Sequence, residues 1–145
     1  MQTEKLPVSA EKARAENPVT LAFLGDAVYS LSVREKLVKN GGGKPHDYQV
    51  AAAKIVSAKG QSEFLEKVES FLTEEEAEIY RRGRNAKKNT RAKNASVVDY
   101  NRSTGFEAVL GFLYLTGRFD RIDELLALDD EKRYEIQERN RIFKP

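Results

Sequence analysis

Two acidic side chains stand inside apolar stretches of the chain and are its strongest candidates for chemistry. Asp26 lies within LAFLGDAVYS, residues 21–30, and Glu107 lies within STGFEAVLGFLYL, residues 103–115. A buried carboxylate needs a partner or gives up its charge. Two carboxylates close together either share a proton or bind a hard divalent cation through oxygen. We therefore expect a shared proton or a metal site if the fold brings Asp26 and Glu107 together.

The stretch around Asp26 has the period of a helix with two apolar faces. One stripe recurs at helical spacing and consists of Leu21, Leu24, Val28 and Leu31. The other stripe flanks Asp26 and consists of Phe23, Ser30, Val33 and Leu37. Two apolar faces predict a central helix, or a helix with a second subunit on its outer face. Gly25, beside Asp26, permits another helix to approach closely.

The face that carries Glu107 is suited to close helix packing. It is formed by Thr104, Ala108, Gly111 and Tyr114, most of which are small. If the two helices cross, Asp26 and Glu107 converge on one point. Structural interpretations compete with this one, because Thr104-x-x-Glu107 also matches a capping box. Asp26 can likewise be a buried acid that is satisfied by an arginine or by backbone amides, and the pattern alone favours these structural roles.

Helical patterns dominate the chain, and strand signals are nearly absent, so the predicted fold class is all-α. Asn17 and Pro18 form a good helix start, and GGGKP at 41–45 ends that helix near residue 40. A second pattern begins at Asp47 and continues past Gly60. The remaining predicted elements are a helix at 74–82 capped by Thr73, an exposed loop at 83–98, and helices at 104–116 and 118–129.

Composition excludes several classes of protein. A hydrophobic fraction of 40% with 33% charged residues is typical of one folded domain, and no apolar run reaches the length of a membrane span. The first residues lack the apolar core of a signal peptide, so we expect a cytoplasmic protein. The absence of cysteine excludes disulfides, thiolate metal sites and cysteine nucleophiles.

The net charge of +2 conceals a strong asymmetry. Residues 81–94, RRGRNAKKNTRAKN, hold seven Lys or Arg residues and no acid. The other 131 positions carry 18 basic and 23 acidic residues, a net charge of −5. A basic block on an otherwise acidic chain indicates a polyanionic partner, although a charge run is often only a solvated surface.

The two acidic stretches together resemble the two signature motifs of the ribonuclease III catalytic domain, in the right order and about 80 residues apart. Further stretches are similar to the short bacterial branch of that family, the Mini-ribonuclease III enzymes. These stretches are ENPVTLAFLGDAVY, VSAKGQ, YRRGRNAK and YNRSTGFEAVLGFLYLTG. The resemblance covers roughly residues 16–128.

The resemblance implies an all-helical catalytic domain at 1–128, followed by a charged tail at 129–145 with a weak helical pattern. It implies a symmetric homodimer that cleaves double-stranded RNA with Mg²⁺, for which Mn²⁺ can substitute, and leaves 5′-phosphate and 3′-hydroxyl ends. Asp26 and Glu107 would be the catalytic and metal-binding residues. The tail is too short for the double-stranded-RNA-binding domain of ordinary members, and the short branch trims the ends of the 23S ribosomal RNA precursor.

The chain departs from the ordinary family at two of four acidic positions, which here are Ala22 and Thr104. The short branch is similar in lacking both acids. Waters and RNA phosphate oxygens would then complete the octahedron that Mg²⁺ demands.

With the resemblance, the basic block is expected to contact the backbone of A-form RNA. Gln61 and Lys59, in VSAKGQ, are weaker RNA candidates, and a ribosomal protein is a further possible partner. Two alternatives remain: a non-catalytic RNA-binding or ribosome-associated protein with this fold, and an all-α module whose basic loop binds an acidic protein. The RNA-binding candidates are Arg81, Arg82, Arg84, Lys87, Lys88, Arg91, Lys93, Arg102 and Lys59.

Overall fold

The computed structural model describes residues 6–88 and 96–136, and within these ranges it contains helices and no β-strand. The prediction of an all-α fold is therefore confirmed. None of the described helices is long and apolar enough to cross a membrane. The helices are α1 (Ala10–Arg14), α2 (Pro18–Asn40), α3 (Pro45–Val56), α4 (Ala58–Glu69), α5 (Glu74–Asn85), α6 (Val97–Leu115) and α7 (Phe119–Leu126), and a 3₁₀ turn follows at Glu131–Tyr134.

The bounds of α2 agree with those predicted from its caps. Asn17 Oδ1 accepts a hydrogen bond from the Val19 amide at 2.8 Å, and Pro18 occupies the first helical position. The helix ends where Gly41 adopts a φ of 70°, a left-handed conformation that glycine tolerates. These local signals decide the ends of the helix without tertiary help.

The pattern that begins at Asp47 forms two helices rather than one. Ser57 separates α3 from α4, and its hydroxyl oxygen accepts a hydrogen bond from the Gly60 amide at 2.9 Å. A serine that caps the second helix therefore interrupts a continuous apolar pattern. The helix after Thr73 begins as predicted, with a reciprocal capping box between Thr73 and Glu76.

The helix that carries Glu107 begins well before the predicted start at 104. Its cap is Ser96, whose side chain accepts from the Asp99 amide at 3.0 Å. Thr104 lies inside the helix, where its hydroxyl group donates to the Tyr100 carbonyl oxygen at 3.0 Å. The capping-box interpretation of Thr104-x-x-Glu107 is therefore wrong.

Residues 83–85 and 97–98 of the predicted loop are helical, and 89–95 lie outside the described residues.

The core forms where α2 and α6 pack against each other, with α4 and α5 packed on α6. Both predicted apolar faces of α2 contribute buried residues, namely Leu21 from the first and Val33 and Leu37 from the second. The remaining large residues of the first face are less buried, since Leu31 is 51% exposed and Leu24 and Val28 are half-buried, and the contact with α6 is made at Gly25. The buried residues of α2 are Leu21, Ala22, Gly25, Tyr29, Val33 and Leu37.

The first part of the expected charged tail is packed onto the domain. Tyr134 and Ile136 are buried, and the Tyr134 hydroxyl donates to a buried carboxylate, that of Asp129, at 2.6 Å. Arg133 donates to the same carboxylate at 2.7 Å. Residues 129–136 therefore belong to the folded unit, and 137–145 lie outside the described residues.

Candidate active site

The crossing of α2 and α6 is a direct contact between helix backbones. A Cβ atom added at Gly25 would overlap the Glu107 carbonyl oxygen, and one added at Gly111 would overlap the Leu21 carbonyl oxygen. Each helix thus presents a glycine to the backbone of the other. The crossing brings the side chains next to Gly25 within reach of those around Glu107.

Asp26 and Glu107 meet at this crossing, as the small-residue pattern predicted. Asp26 is exposed at the surface, and Glu107 is half-buried behind it. Burial, followed by the charge of Asp26 and a hydrogen bond with Asp26, raises the pKa of the Glu107 carboxyl to about 8. The Glu107 carboxyl group therefore keeps its proton to a higher pH than an ordinary glutamate does.

Neither structural alternative for Asp26 is seen among the described residues. No ion pair in these ranges involves Asp26 or Glu107, and no backbone amide donates to the Asp26 side chain. Two acids at one point without a basic partner are suited to hold a divalent cation. Their oxygen donors fit Mg²⁺ or Mn²⁺, which prefer carboxylate and water ligands.

The site has two carboxylates rather than four. No group of three or more acids, histidines or cysteines that could hold a metal occurs in the part of the chain that the structure describes. Ala22 is buried in the helix contact, and the Thr104 hydroxyl is already bonded to the Tyr100 carbonyl oxygen. The chain itself can therefore offer only a small part of an octahedral ligand set.

Gln61 belongs to the site, but its environment differs from the one predicted from the sequence. It was a candidate for RNA contact, but its side chain is only 1% exposed, so that prediction is wrong. Its amide nitrogen donates to the Val56 carbonyl oxygen at 2.8 Å, and its amide also acts on the Glu107 carboxyl as a hydrogen-bond donor. The spacing from Gln61 to Phe64, Leu65 and Val68 would have indicated this, because these residues share the buried face of α4.

The last turn of α5 packs the start of the basic block against α6. A Cβ atom at Gly83 would lie 3.0 Å from the Gly105 Cα atom and 3.1 Å from Ala108 Cβ, on the turn of α6 that includes Glu107. Arg81, Arg84 and Lys87 are exposed around this contact. Their positive charges therefore face solvent at and just after the C-terminal end of α5.

Other basic candidates are engaged within the protein. Arg82 donates to the carbonyl oxygens of Arg14 and Glu16 at 2.8 and 3.2 Å, and so joins α5 to the segment before α2. Arg102 forms an ion pair with Glu69 at 2.9 Å, and its side chain is only 14% exposed. The structure thus gives both arginines a packing role.

The remaining candidates differ in how far they reach into solvent. Lys88 is half-buried and donates to the carbonyl oxygens of Arg84 and Ala86, at 3.2 and 2.8 Å. Partial burial lowers the pKa of its amino group. Lys59 is exposed on α4, and Arg91 and Lys93 lie outside the described residues.

Comparison with known proteins identifies similar sequences and a similar fold. The family model described as the ribonuclease III domain matches residues 19–118. A Mini-ribonuclease 3 from Streptococcus pneumoniae is 48% identical over 113 residues, which is 77% of this chain and 88% of that protein. One from Brevibacillus brevis is 45% identical over 126 residues, which is 87% of this chain and 92% of that protein. A crystal structure of a Fusobacterium nucleatum protein is 30% identical, with a TM-score of 0.72, over 79% of this chain and 93% of that one.

Proposed function

Because this chain belongs to the ribonuclease III family and is an endoribonuclease, we propose that it cleaves double-stranded RNA with Mg²⁺ held by Asp26 and Glu107. The observation that carries the proposal is the contact between these two carboxyl groups at the crossing of α2 and α6. The family resemblance implies products with 5′-phosphate and 3′-hydroxyl ends.

The protein residues have distinct tasks in this reaction. Asp26, which is exposed, and Glu107, which is half-buried, would hold the ion through their carboxylate oxygens, and Glu107 would have to be deprotonated to do so. When bound, the divalent cation lowers the pKa of a water ligand and offsets negative charge on the phosphate. The half-buried position of Glu107 strengthens its interaction with a cation, because less water screens the charge.

The exposed part of the basic block supports the choice of a duplex substrate. Arg81, Arg84 and Lys87 are exposed at and just after the end of α5, where Gly83 packs against α6, and we propose that they contact phosphates of the duplex. A-form RNA is recognised by its backbone and shape, which suits flexible cationic side chains better than aromatic platforms. We propose that Lys59, Lys88, Arg91 and Lys93 also contact the RNA. Arg82 and Arg102 are not included, because their side chains are bonded within the protein.

An exposed apolar surface supports the symmetric homodimer. Phe23 is 82% exposed on α2, and Val19, one turn earlier, is 37% exposed. An exposed phenylalanine at the start of a long central helix indicates a partner surface. Phe23 precedes Asp26 by three residues and so lies on the same side of α2, where a two-fold contact would border the site. The dimer would then present two equivalent sites, one for each RNA strand.

We further propose that the biological substrate is a double-stranded end of the 23S ribosomal RNA precursor, cleaved in the cytoplasm, with a ribosomal protein as a possible partner. The relatives named Mini-ribonuclease 3, of whose length the chain covers about nine tenths, support ribonuclease activity, and the choice of this substrate rests on the resemblance to the short branch of the family. The paired acids weigh against a non-catalytic RNA-binding protein, because binding alone requires neither of them.

One assay tests the proposal against both alternatives. Purified protein is incubated with long double-stranded RNA, with Mg²⁺ or with a chelator, and Asp26→Asn is run beside it. We expect cleavage only with metal and only in the unsubstituted protein. Binding without cleavage under all conditions would favour the non-catalytic alternative, and no binding at all would favour a protein-binding module. Full cleavage by Asp26→Asn would remove that residue from the site.

A further inference from the structure

Gln61 has an unsatisfied buried group beside the two carboxylates. Its side chain is 1% exposed, and its carbonyl oxygen, Oε1, has no hydrogen-bond partner in the protein. Nearly all buried polar atoms in folded proteins have a partner, so each exception calls for an explanation. Within the described residues, the Tyr29 hydroxyl oxygen is the only other buried side-chain polar atom that has no hydrogen-bond partner. An unpaired acceptor next to a candidate metal site suggests that its donor arrives with the ligand.

The position of Gln61 is held by the corner between α3 and α4. The Ser57 hydroxyl oxygen caps α4 through the Gly60 amide, and Gln61 Nε2 donates back to the Val56 carbonyl oxygen. Arg133 holds the same corner from the C-terminal segment, donating to the carbonyl oxygens of Gly60 at 2.5 Å and Ile55 at 3.2 Å. The amide group is therefore fixed in place before any ligand binds.

The packing of α4 on α6 brings this amide to Glu107. The Phe64 and Phe106 rings meet edge to face with centroids 5.3 Å apart. Gln61 lies one turn before Phe64 on the same face of α4, and Glu107 directly follows Phe106. A side-chain amide has two N–H groups, so Nε2 can donate to Val56 with one and to Glu107 with the other. The carbonyl oxygen is left free.

We propose that Gln61 is a positioning residue for the metal site: its amide N–H orients the Glu107 carboxylate, and its free carbonyl oxygen accepts a hydrogen bond from a water bound to the cation. This inference rests on the proposed function. Partners of this kind fix the orientation of metal ligands and commonly change metal affinity when they are removed. In a site with only two carboxylates, most of the cation's ligands are waters, so a fixed acceptor for one of them has a large effect.

The test measures Mn²⁺ binding without RNA, so it does not depend on catalysis. The affinity is obtained from the electron paramagnetic resonance signal of free Mn²⁺ for the unsubstituted protein, Gln61→Leu, Gln61→Glu and Asp26→Asn. Gln49→Leu serves as a control, because Gln49 is exposed on α3 and away from the acids in sequence. Unfolding is followed in the presence of a chelator, and Gln61→Met replaces Gln61→Leu if the latter does not fold.

We expect Gln61→Leu to bind Mn²⁺ about 10- to 100-fold more weakly, as is usual for residues that support metal ligands. Gln61→Glu keeps an acceptor oxygen and should bind Mn²⁺ more tightly than Gln61→Leu, whereas Gln49→Leu should match the unsubstituted protein. A role limited to the Val56 hydrogen bond would lower the stability of Gln61→Leu and leave its Mn²⁺ affinity equal to that of the unsubstituted protein. That result would overturn the inference.

The Asp26→Asn arm separates this inference from the proposed function. If Asp26→Asn loses Mn²⁺ while Gln61→Leu retains it, the metal site stands and the role of Gln61 is wrong. If Asp26→Asn binds Mn²⁺ as the unsubstituted protein does, the proposed metal site is wrong and the inference on Gln61 falls with it.

Discussion

The Glu107 carbonyl oxygen lies directly against Gly25, with no room for a Cβ atom between the two helices. This backbone contact sets the separation of the two carboxyl groups, because Asp26 follows Gly25 and Glu107 carries the other acid. The site therefore depends on a glycine that has no chemistry of its own. A helix needs a strong reason to keep an interior glycine, which costs about 1 kcal/mol relative to alanine.

Gly25→Ala should impair cleavage by separating the helices. The added methyl group meets backbone rather than a movable side chain, so we expect a loss of about 1–3 kcal/mol in the free energy of unfolding. Urea denaturation measures this loss, and the RNA cleavage rate at fixed folded fraction measures the effect on the site. Ala53→Ser, at an exposed position in α3, is the control and should alter neither quantity. A fully active Gly25→Ala variant would contradict the role of the contact.

Glu107→Gln should stabilise the metal-free protein at high pH. The carboxyl pKa is about 8 in the fold and about 4.5 in an unfolded chain, so between these values only the fold holds the proton. The proton that the folded protein holds on Glu107 therefore contributes to the free energy of unfolding, fully so below pH 4.5. This contribution is lost as the pH rises to about 8. The loss is at most about 1.4 kcal/mol for each pH unit in this window. The substitution removes this decline.

Thermal unfolding in a chelator at pH 4 and pH 8 measures the effect. The variant and the unsubstituted protein should differ little at pH 4, and the variant should have the higher melting temperature at pH 8. Mg²⁺ should raise the melting temperature of the unsubstituted protein more than that of the variant. The exposed substitution Glu63→Gln is the control. Equal melting temperatures at pH 8 would show that neither burial nor the charge of Asp26 disfavours the ionised Glu107 carboxyl in the fold.

Removal of four charges from the basic block should flatten the salt dependence of RNA binding. Each phosphate contact that is lost lowers the slope of log K against log salt by about 0.9 on B-DNA, so alanine at Lys87, Lys88, Arg91 and Lys93 should lower it by about 3 to 4. Fluorescence anisotropy in the Asp26→Asn background measures the slope without cleavage. Lys39→Ala is the control, because Lys39 lies about 20 Å along α2 from Asp26. An unchanged slope would count against RNA contact by this block.

Phe23→Arg should convert the proposed dimer to a monomer without unfolding it. The side chain is 82% exposed in the single chain, so a charged replacement costs the fold little but opposes burial between two copies. Sedimentation equilibrium measures the mass, and circular dichroism measures the helix content. Val50→Arg changes a residue that is 54% exposed on α3 and should leave the mass unchanged. A dimeric Phe23→Arg protein would move the interface elsewhere.

Local signals in the sequence decided much of this fold. Asn17, Pro18 and Gly41 bound α2, and the Thr73 capping box starts α5, because caps act through neighbours in the chain. The two acids were also identified from the sequence, since each interrupts an apolar stretch and lies beside small residues. These features need only the residues next to them.

The tertiary structure decided which faces meet. The sequence predicted two apolar faces on α2, but it did not show that Gly25 makes the contact with α6 or that Leu31 is left exposed. Hydrophobic periodicity weights large side chains, whereas the closest helix contacts select the smallest ones. The same limit hid the ion pair between Arg102 and Glu69, whose partners are far apart in the chain.

The candidate acids of the site could thus be named from the sequence and its resemblance to a family, and their environment could not. The sequence by itself determined that the fold is helical and that a basic block lies between Asp26 and Glu107, which stay the predicted site residues. Only the tertiary structure decided that Gln61 is buried beside Glu107 and that Arg82 and Arg102 are engaged within the protein. The physical reason is that burial, charge pairing and the Glu107 pKa arise from contacts between helices, which no single stretch of the chain contains.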